Sequence, residues 1–225
     1  MRRLARRTAA RQAATRETAL THRIAAMVLD YPSPELLAML PEVRAALTTL
    51  PERLREPLAQ VVDHLGSQPL GALAAEYVTT FDLARRRSPY LSYYSYGDTR
   101  KRGVALVEYK QAYRAAGFEL VSDELPDHVA VVLEFASTGD AAAQESGLRL
   151  LLAHRAGLEL LRLALLDAGS PWAGALVAVC ATLPPLDGDD REAVARLAAQ
   201  GPPGEEVGLE PFLPPSSATD PGARR

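Results

Sequence analysis

Apolar residues recur at helical spacing along most of the chain. Leu20, Ile24 and Met27, for example, follow one another at intervals of three or four residues, and Pro32 ends the run. Such residues lie on one face of an α-helix, because one turn holds about 3.6 residues. No segment keeps the alternation of apolar and polar residues that indicates a half-buried strand. The pattern predicts an all-α fold, a single globular bundle of roughly eight to ten helices with no sheet.

Glycines, prolines and capping residues give the expected helix ends. The third helix should end at Gly66, a C-capping glycine, and the fifth should begin at Asp98 or Thr99. The sixth should hold Pro126 in its first turn, where a proline is well tolerated. The segment after it predicts one long helix or two consecutive helices, with Gly157 as the weak point.

The two ends of the chain differ in composition from the region between them. Residues 1–16 contain six arginines and no acidic residue, and residues 201–225 are rich in Pro, Gly and Ser. We therefore expect a basic flexible arm over 1–16, an all-helical domain over 17–200 and a mobile tail over 201–225.

Charge and hydropathy exclude several classes of protein. The formal net charge is −3 and the arm has no interleaved aromatic residues, so nucleic acid is not the expected partner. No apolar segment follows the double arginines near the start, which argues against an export signal. No apolar run approaches the roughly 20 residues that cross a bilayer, so we expect a cytoplasmic protein without membrane insertion. The alternative is a helical nucleic-acid-binding protein that uses the arm.

Common catalytic and metal-binding motifs are missing from the sequence. It has no glycine-rich phosphate loop, no His-Glu-x-x-His pair and no Gly-x-Ser-x-Gly turn. The single cysteine, Cys180, excludes an internal disulfide and a thiolate metal site within one chain, and we expect it to fill core space. The four histidines are interpreted as surface or helix-end residues: His22, His64, His128 and His154. We therefore expect no enzyme, no cofactor and no metal.

The stretch ELPDHVAVVLEF, residues 124–135, combines polar groups with an apolar run. A helix that is apolar nearly all round is expected at the centre of a fold. We expect Asp127 in its first turn, where the helix dipole favours a carboxylate. Glu134 then needs a partner or lines a cleft, because an unpaired buried charge is unfavourable. Carboxylates about 10 Å apart along one helix are too distant for most paired-carboxylate mechanisms, so catalysis is not expected here.

A basic turn follows four tyrosines that lie between residues 90 and 96. Arg100, Lys101 and Arg102 fall at the start of the predicted fifth helix, where the helix dipole disfavours cations. Together with the tyrosines they would suit an acidic or carbonyl-rich partner. The alternative is an ordinary solvated run of charge.

Three ordered motifs in residues 74–135 resemble those of a known family. They are Tyr-x-x-x-Phe-Asp from Tyr77, Tyr-Gly-Asp-x-Arg-x-Arg-Gly from Tyr96, and Glu-Leu-Pro-Asp-His from Glu124. The region resembles the delta-subunit family of respiratory nitrate reductase assembly chaperones, within a wider all-helical group that matures molybdoenzymes. The flanking predicted helices fit that family in number and order.

The resemblance implies a chaperone without catalytic activity. Members bind the apo catalytic (alpha) subunit of nitrate reductase, including its N-terminal segment, and keep it competent for molybdenum cofactor insertion. The alpha–beta complex and molybdenum cofactor biosynthesis proteins are further implied partners. The alternative is a chaperone of the same fold for a different molybdoenzyme.

A client peptide that folds as an amphipathic helix would lay its apolar side in a cleft of the chaperone. We expect His128 to tune binding near neutral pH. The residues predicted to bind the client are Tyr77, Phe81, Asp82, Tyr96, Arg100, Arg102, Asp127, His128 and Glu134.

Overall fold

The computed structural model describes residues 2–200, and it describes side chains from residue 12 to residue 199. This part of the chain forms eleven α-helices, a π-helical turn at Val78–Asp82 and a 3₁₀ turn at Arg85–Arg87. The α-helices are α1 (Arg2–Val28), α2 (Pro34–Leu47), α3 (Glu52–Ser67), α4 (Leu70–Tyr77), α5 (Tyr93–Tyr96), α6 (Arg100–Ala115), α7 (Val129–Ser137), α8 (Ala141–Ala153), α9 (Arg155–Asp167), α10 (Ala173–Thr182) and α11 (Gly188–Gln200).

The all-α prediction is confirmed. Between residues 2 and 200 the only β-type pairing is an isolated antiparallel bridge between Tyr90 and His128. There is one helix more than expected, because the tyrosine-rich segment contains the single-turn helix α5. None of the helices in this range is both long enough and apolar enough to cross a membrane.

Helix α10 occupies the middle of the bundle and packs on α1, α3 and α9. Its residues Ala175, Ala178 and Val179 are fully buried. Gly174 permits close approach to α3, because a Cβ atom there would lie 2.1 Å from the carbonyl oxygen of Pro57. Small side chains therefore let a short apolar helix fit between its neighbours.

Next to α10 lies an aromatic core built around Trp172, which is fully buried. The Tyr77 and Phe81 rings meet the Trp172 ring edge-on, with centroids 5.9 Å and 5.7 Å away. The Tyr77 hydroxyl donates to the carbonyl oxygen of Leu29 at 3.1 Å. The first sequence motif therefore builds the interior where α1, α4 and α10 meet.

Helix α7 is packed between α1 and α8, which confirms the prediction of a buried central helix. Val129, Val132 and Leu133 have no exposed surface. On the α8 side, a Cβ atom on Gly147 would lie 2.4 Å from the Cα atom of Ala136. Helix α8 therefore supports α7 from behind, and the opposite side of α7 faces α1.

The predicted helix ends are only partly correct. Thr99 is the N-cap residue of α6, as one of the two predictions had it. The prediction for Gly66 is wrong, because α3 continues through it, and a single glycine only weakens a helix. The consecutive helices α8 and α9 separate at His154 and not at Gly157. A Cβ atom on Gly157 would lie 2.8 Å from the carbonyl oxygen of Leu91, so close packing accounts for that glycine.

The terminal predictions have different outcomes. Helix α1 begins at Arg2, so residues 2–16, the predicted arm, are continuous with the helix that enters the core. The flexibility of that arm stays a prediction, and so does the domain boundary at residue 17. The predicted tail, 201–225, lies outside the described residues.

Candidate functional site

The second and third motifs meet inside the molecule through an arginine and a carboxylate. The Nη2 atom of Arg102, in α6, lies 3.5 Å from Oδ2 of Asp127, which precedes α7. The Nη1 atom of Arg102 donates to Oδ1 of Asp98 at 2.9 Å. The Asp127 side chain is 0% exposed and that of Arg102 is 13% exposed. We define the buried polar cluster as Ser92, Arg102, Asp127 and His128; half-buried Tyr90 and exposed Asp98 lie at its edge.

The prediction that Asp127 lies in the first turn of its helix is wrong. The Leu91 N–H donates to the carbonyl oxygen of Asp127 at 3.0 Å. The Val129 N–H donates to that of Pro89 at 2.8 Å. This extended pairing delays the helix to Val129, and the Asp127 Oδ2 atom accepts from the Ser92 N–H at 3.2 Å and from its hydroxyl at 2.5 Å. Tertiary hydrogen bonds therefore fix the carboxylate, and the helix dipole does not.

The tyrosine-rich segment encloses the guanidinium group of Arg102. Its Cζ atom lies 5.2 Å from the centre of the Tyr90 ring and 5.8 Å from that of Tyr93, which are cation–π distances. The Tyr90 hydroxyl donates to Oε1 of Glu124 at 3.1 Å. Burial and the neighbouring Glu124 carboxylate raise the pKa of Tyr90 to about 12. One cation of the basic turn is therefore an internal structural group, while the other two are exposed.

His128 is the N-cap residue of α7, and it is almost completely buried. Its Nδ1 atom accepts the Ala130 N–H at 3.2 Å, so this nitrogen carries no proton. The ring meets Tyr90 edge-on at 5.4 Å. Burial lowers the pKa of His128, although surrounding carboxylates act in the opposite direction. Its predicted helix-end position is correct, but its side chain is enclosed.

His22 was expected at the surface or at a helix end, and this prediction is wrong. It lies inside α1, where it is buried and its Nε2 atom is 2.9 Å from Oγ1 of Thr182. Burial lowers its pKa to about 4. Cys180 packs against the core as expected, and burial raises the pKa of its thiol to about 12.

The nine residues predicted to bind the client do not form one continuous surface. Four are buried and have internal partners: Tyr77, Phe81, Asp127 and His128. Tyr96 and Arg102 are partly buried, whereas Asp82, Arg100 and Glu134 are exposed. In this conformation the four buried side chains are part of the interior. Contact of any of the nine residues with a client stays a prediction.

A groove of about 540 Å³ lies between α1, α7 and the segment that joins α6 to α7. We call it the α1–α7 groove. Its lining residues are Arg23, Ala26, Met27, Asp30, Tyr113, Phe118, Glu119, Leu120, Val121, Ser122, Glu124, Ala130, Val131, Glu134, Phe135 and Thr138. Of the predicted binding residues, only Glu134 lines it. The sequence prediction that this residue has a partner or lines a cleft is confirmed on both counts.

The charged side chains of the groove are mostly acidic. Among the lining side chains that the structure describes, four are carboxylates, those of Asp30, Glu119, Glu124 and Glu134, and one is a cation, that of Arg23. The Nη1 atom of Arg23 lies 2.8 Å from Oε1 of Glu134, with 48% and 61% of the two side chains exposed. This ion pair bridges α1 and α7 at the surface of the groove.

Sequence reasoning missed most of the groove. No role was predicted for residues 118–125, yet this segment forms one wall of the groove, and Val121 within it is 97% exposed. No role was predicted for Arg23 either. Its spacing of four residues from Met27 was the available signal, since both residues lie on one face of α1.

Among the described residues, no three His, Cys, Asp or Glu side chains form a group that could hold a metal ion. The buried carboxylate Asp127 is paired with Arg102, and its histidine neighbour caps a helix. The geometry of these side chains therefore favours structural support over metal binding.

Comparison with known proteins gives a consistent result. Residues 47–178 match the model of the family described as nitrate reductase delta subunit. The nitrate reductase-like protein NarX of Mycobacterium tuberculosis is 38% identical over 159 residues, which are 70% of this chain and 23% of that protein. The probable nitrate reductase molybdenum cofactor assembly chaperone NarJ of Bacillus subtilis is 32% identical over 133 residues, which are 59% of this chain and 72% of that protein.

A third relative is the nitrate reductase molybdenum cofactor assembly chaperone NarJ of Escherichia coli K12. It is 33% identical over 116 residues, which are 50% of this chain and 49% of the relative. The chain thus spans about a quarter of the mycobacterial protein and about half of the one from E. coli. The matched family region holds all three sequence motifs and α7.

Proposed function

Because the chain belongs to the nitrate reductase delta subunit family, we propose that it is an assembly chaperone of nitrate reductase, acting by binding and not by catalysis. Its client is the apo catalytic (alpha) subunit, including the N-terminal segment of that subunit. The chaperone keeps this subunit competent for insertion of the molybdenum cofactor, and it works in the cytoplasm. The single observation that carries the proposal is the family match over residues 47–178.

The names of the relatives support a role in the assembly of nitrate reductase. Two of them, from B. subtilis and E. coli, are named as nitrate reductase molybdenum cofactor assembly chaperones. We extend that role to this chain. The same names favour nitrate reductase over another molybdoenzyme as the client, which is the alternative function.

The α1–α7 groove is the docking site in this proposal. It is open, about 540 Å³ in volume, and contains apolar groups from Met27, Phe118, Val131 and Phe135. A groove between two helices suits an amphipathic client helix, which buries its apolar side and leaves its polar side in water. The buried polar cluster lies at the start of α7 and holds that helix in position, so it contributes indirectly.

Binding can be tested by co-expression of the tagged chaperone with the apo alpha subunit. We expect the pair to co-purify, and we expect Val131→Gln to reduce capture, because a polar side chain in the groove cannot replace the lost apolar contact. Val107→Gln is the matched control, since Val107 is an exposed valine on α6 outside the groove. Circular dichroism would verify that both variants keep the fold.

A second measurement addresses the role in cells. A host strain that lacks the chaperone should assemble nitrate reductase with little molybdenum, and the parent gene should restore the metal. Normal molybdenum content and normal nitrate reduction in the deleted strain would contradict the proposed function. Capture of a different apo-molybdoenzyme in place of the alpha subunit would support the alternative.

A further inference from the structure

Another pocket, about 330 Å³ in volume, is lined by residues of α9 and α10 and by residues at the start of α11. Four of its lining residues are charged and three are apolar: Arg155, Glu159, Arg162 and Arg191, and Val177, Cys180 and Leu186. It shares no lining residue with the α1–α7 groove. We call it the arginine pocket, and its volume is at the lower end of the range that is typical of small-molecule sites.

Positive charge exceeds negative charge in the arginine pocket. Among its described lining residues Glu159 supplies the one carboxylate, and arginines already contact both of its oxygens. The Nη2 atom of Arg155 lies 2.7 Å from Oε1, and Nε of Arg162 donates to Oε2 at 2.7 Å. Because three guanidinium groups line the pocket with one carboxylate, two positive charges have no compensating charge there.

The guanidinium group of Arg155 has an unused donor in the interior. Only 5% of this residue is exposed, and its Nη1 atom has no hydrogen-bond partner among the described residues. A buried N–H without an acceptor is unfavourable, because in water it would be hydrogen-bonded. Such a donor in a native fold indicates an acceptor from outside the chain, which is a water molecule or a ligand.

The two other arginines of the pocket are more accessible. Arg162 is partly buried, whereas Arg191, near the start of α11, is exposed and has no ion-pair partner among the described residues. The neighbouring Asp187 does not line the pocket, and its Oδ1 atom accepts the Asp190 N–H at 2.8 Å. Exposure thus rises from Arg155 through Arg162 to Arg191, as expected of a site that is open to solvent on one side.

We propose that the arginine pocket binds a phosphate group, either as the free ion or as the phosphate ester of a small molecule. A phosphate dianion matches the two uncompensated charges, and its oxygens suit the forked N–H donors of arginine. A carboxylate carries a single charge and matches less well. Val177 and Leu186 offer apolar surface to the organic part of an ester. This binding site is separate from the docking groove, and it does not depend on the proposed function.

Calorimetry on the purified full chain tests the ligand chemistry with inorganic phosphate, phenyl phosphate and benzoate at constant ionic strength. At pH 8 phosphate groups are mostly dianions, since their second pKa is about 6. Both phosphates should bind at least about tenfold more tightly than benzoate. Benzoate affinity equal to that of the phosphates would overturn the proposal. Absence of phosphate binding would also overturn it, and would leave water as the acceptor for Arg155.

The same titrations distinguish the two sources of the phosphate group. Tighter binding of phenyl phosphate than of inorganic phosphate would support an ester, whose organic part gains contact with the apolar wall. Equal or weaker binding of phenyl phosphate would support the free ion. A glutamate-rich peptide that bound more tightly than either phosphate would assign the surface to an acidic protein partner, and would overturn the proposal.

Two variants of α11 show whether binding takes place in the pocket. Arg191→Gln should weaken phosphate binding about fivefold, because a charge-assisted contact is lost. Arg196→Gln is the matched control, since Arg196 is also an exposed arginine of α11 but does not line the pocket. It should bind phosphate as the parent does. An unchanged affinity in Arg191→Gln, or an equal loss in both variants, would overturn the proposal.

The part played by Arg155 is best measured in the parent protein, because replacement of a buried arginine is expected to disturb the fold. Nitrogen-15 NMR of the arginine side chains provides this measurement. The guanidinium resonances of Arg155 and Arg162 should shift as phenyl phosphate is added, while that of Arg149, an exposed arginine outside the pocket, should not. Equal shifts of all three would indicate nonspecific attraction of anions, and would overturn the proposal.

Discussion

Two arginine–carboxylate pairs involve α7, one just before its start and one within it. They have the same chemistry but differ in distance and in burial. Asp127, just before the helix, pairs with Arg102 at 3.5 Å in the interior. Glu134, within the helix, pairs with Arg23 at 2.8 Å in solvent. We expect that breaking the shorter pair costs less free energy of unfolding, because water screens exposed charges, whereas a buried charge without its partner is strongly unfavourable. Distance alone is therefore a poor guide to which pair holds the fold.

The surroundings of the two pairs explain why they serve different purposes. Asp127 also accepts two hydrogen bonds from Ser92, and Arg102 is enclosed by two tyrosine rings. This network joins α6 to the start of α7. The pair between Arg23 and Glu134 has only Thr138 as a further neighbour, and it borders open space. The buried pair is suited to a permanent structural contact, and the exposed pair can exchange its partners.

The largest expected effect is that of removing the buried carboxylate. Asp127→Ala should lower the free energy of unfolding by about 3–5 kcal/mol, because Arg102 then lacks a buried partner. Glu134→Ala is the matched control and should cost less than about 1 kcal/mol. Urea denaturation measures both values. Asp127→Asn keeps the shape of the side chain without its charge, and its cost in free energy of unfolding should fall between those of the two alanine variants. Equal costs for the two alanine variants would contradict the comparison.

A smaller effect is expected when the buried cation changes shape. Arg102→Lys should cost about 1–2 kcal/mol, because lysine keeps the charge but loses the planar contact with Tyr90 and Tyr93. Urea denaturation at pH 7 is the appropriate measurement. Arg23→Lys, in the exposed pair, should be nearly neutral. If Arg102→Lys is also neutral, the tyrosine enclosure contributes nothing.

The third prediction concerns His128, beside the buried pair, and the dependence of the free energy of unfolding on pH. Burial lowers the pKa of His128 in the folded state below its unfolded value of about 6.5. The folded state then binds fewer protons, so the contribution of His128 is complete above pH 6.5 and is lost as the pH falls below it. His128→Asn keeps a good N-cap residue and cannot titrate. It should be less stable than the parent at pH 7, because the buried ring and its contact with Tyr90 are lost. In urea denaturation this difference should shrink at pH 5, and a parallel pH dependence of the two proteins would contradict the prediction.

The smallest effect concerns salt and the exposed pair. In low salt Glu134→Gln should reduce stability by less than about 1 kcal/mol, and the reduction should vanish in about 1 M NaCl, where charges are screened within a few ångströms. The cost of Asp127→Ala should change little under the same conditions. Thermal denaturation at both salt concentrations provides the comparison. A salt-independent cost for Glu134→Gln would show that this pair is not simply a surface contact.

The sequence allowed the helical class and the central position of α7 to be predicted, because both follow from local apolar spacing. It did not place Asp127 correctly, since the delay in the helix start comes from hydrogen bonds to Pro89 and Leu91, more than thirty residues earlier. The groove was missed for the same reason. Its ion pair joins residues 111 positions apart, which no local pattern reveals.

The one tryptophan gives this protein a built-in optical probe with a restricted view. Trp172 is enclosed by Tyr77, Phe81 and the ring of His64, and it does not line the α1–α7 groove. Its emission should therefore stay blue-shifted while a ligand enters and leaves, and should move to the red only when the core is lost. Intrinsic fluorescence then reports unfolding without interference from binding. A dye attached at Val121, in the segment that joins α6 to α7, would instead report binding in the groove.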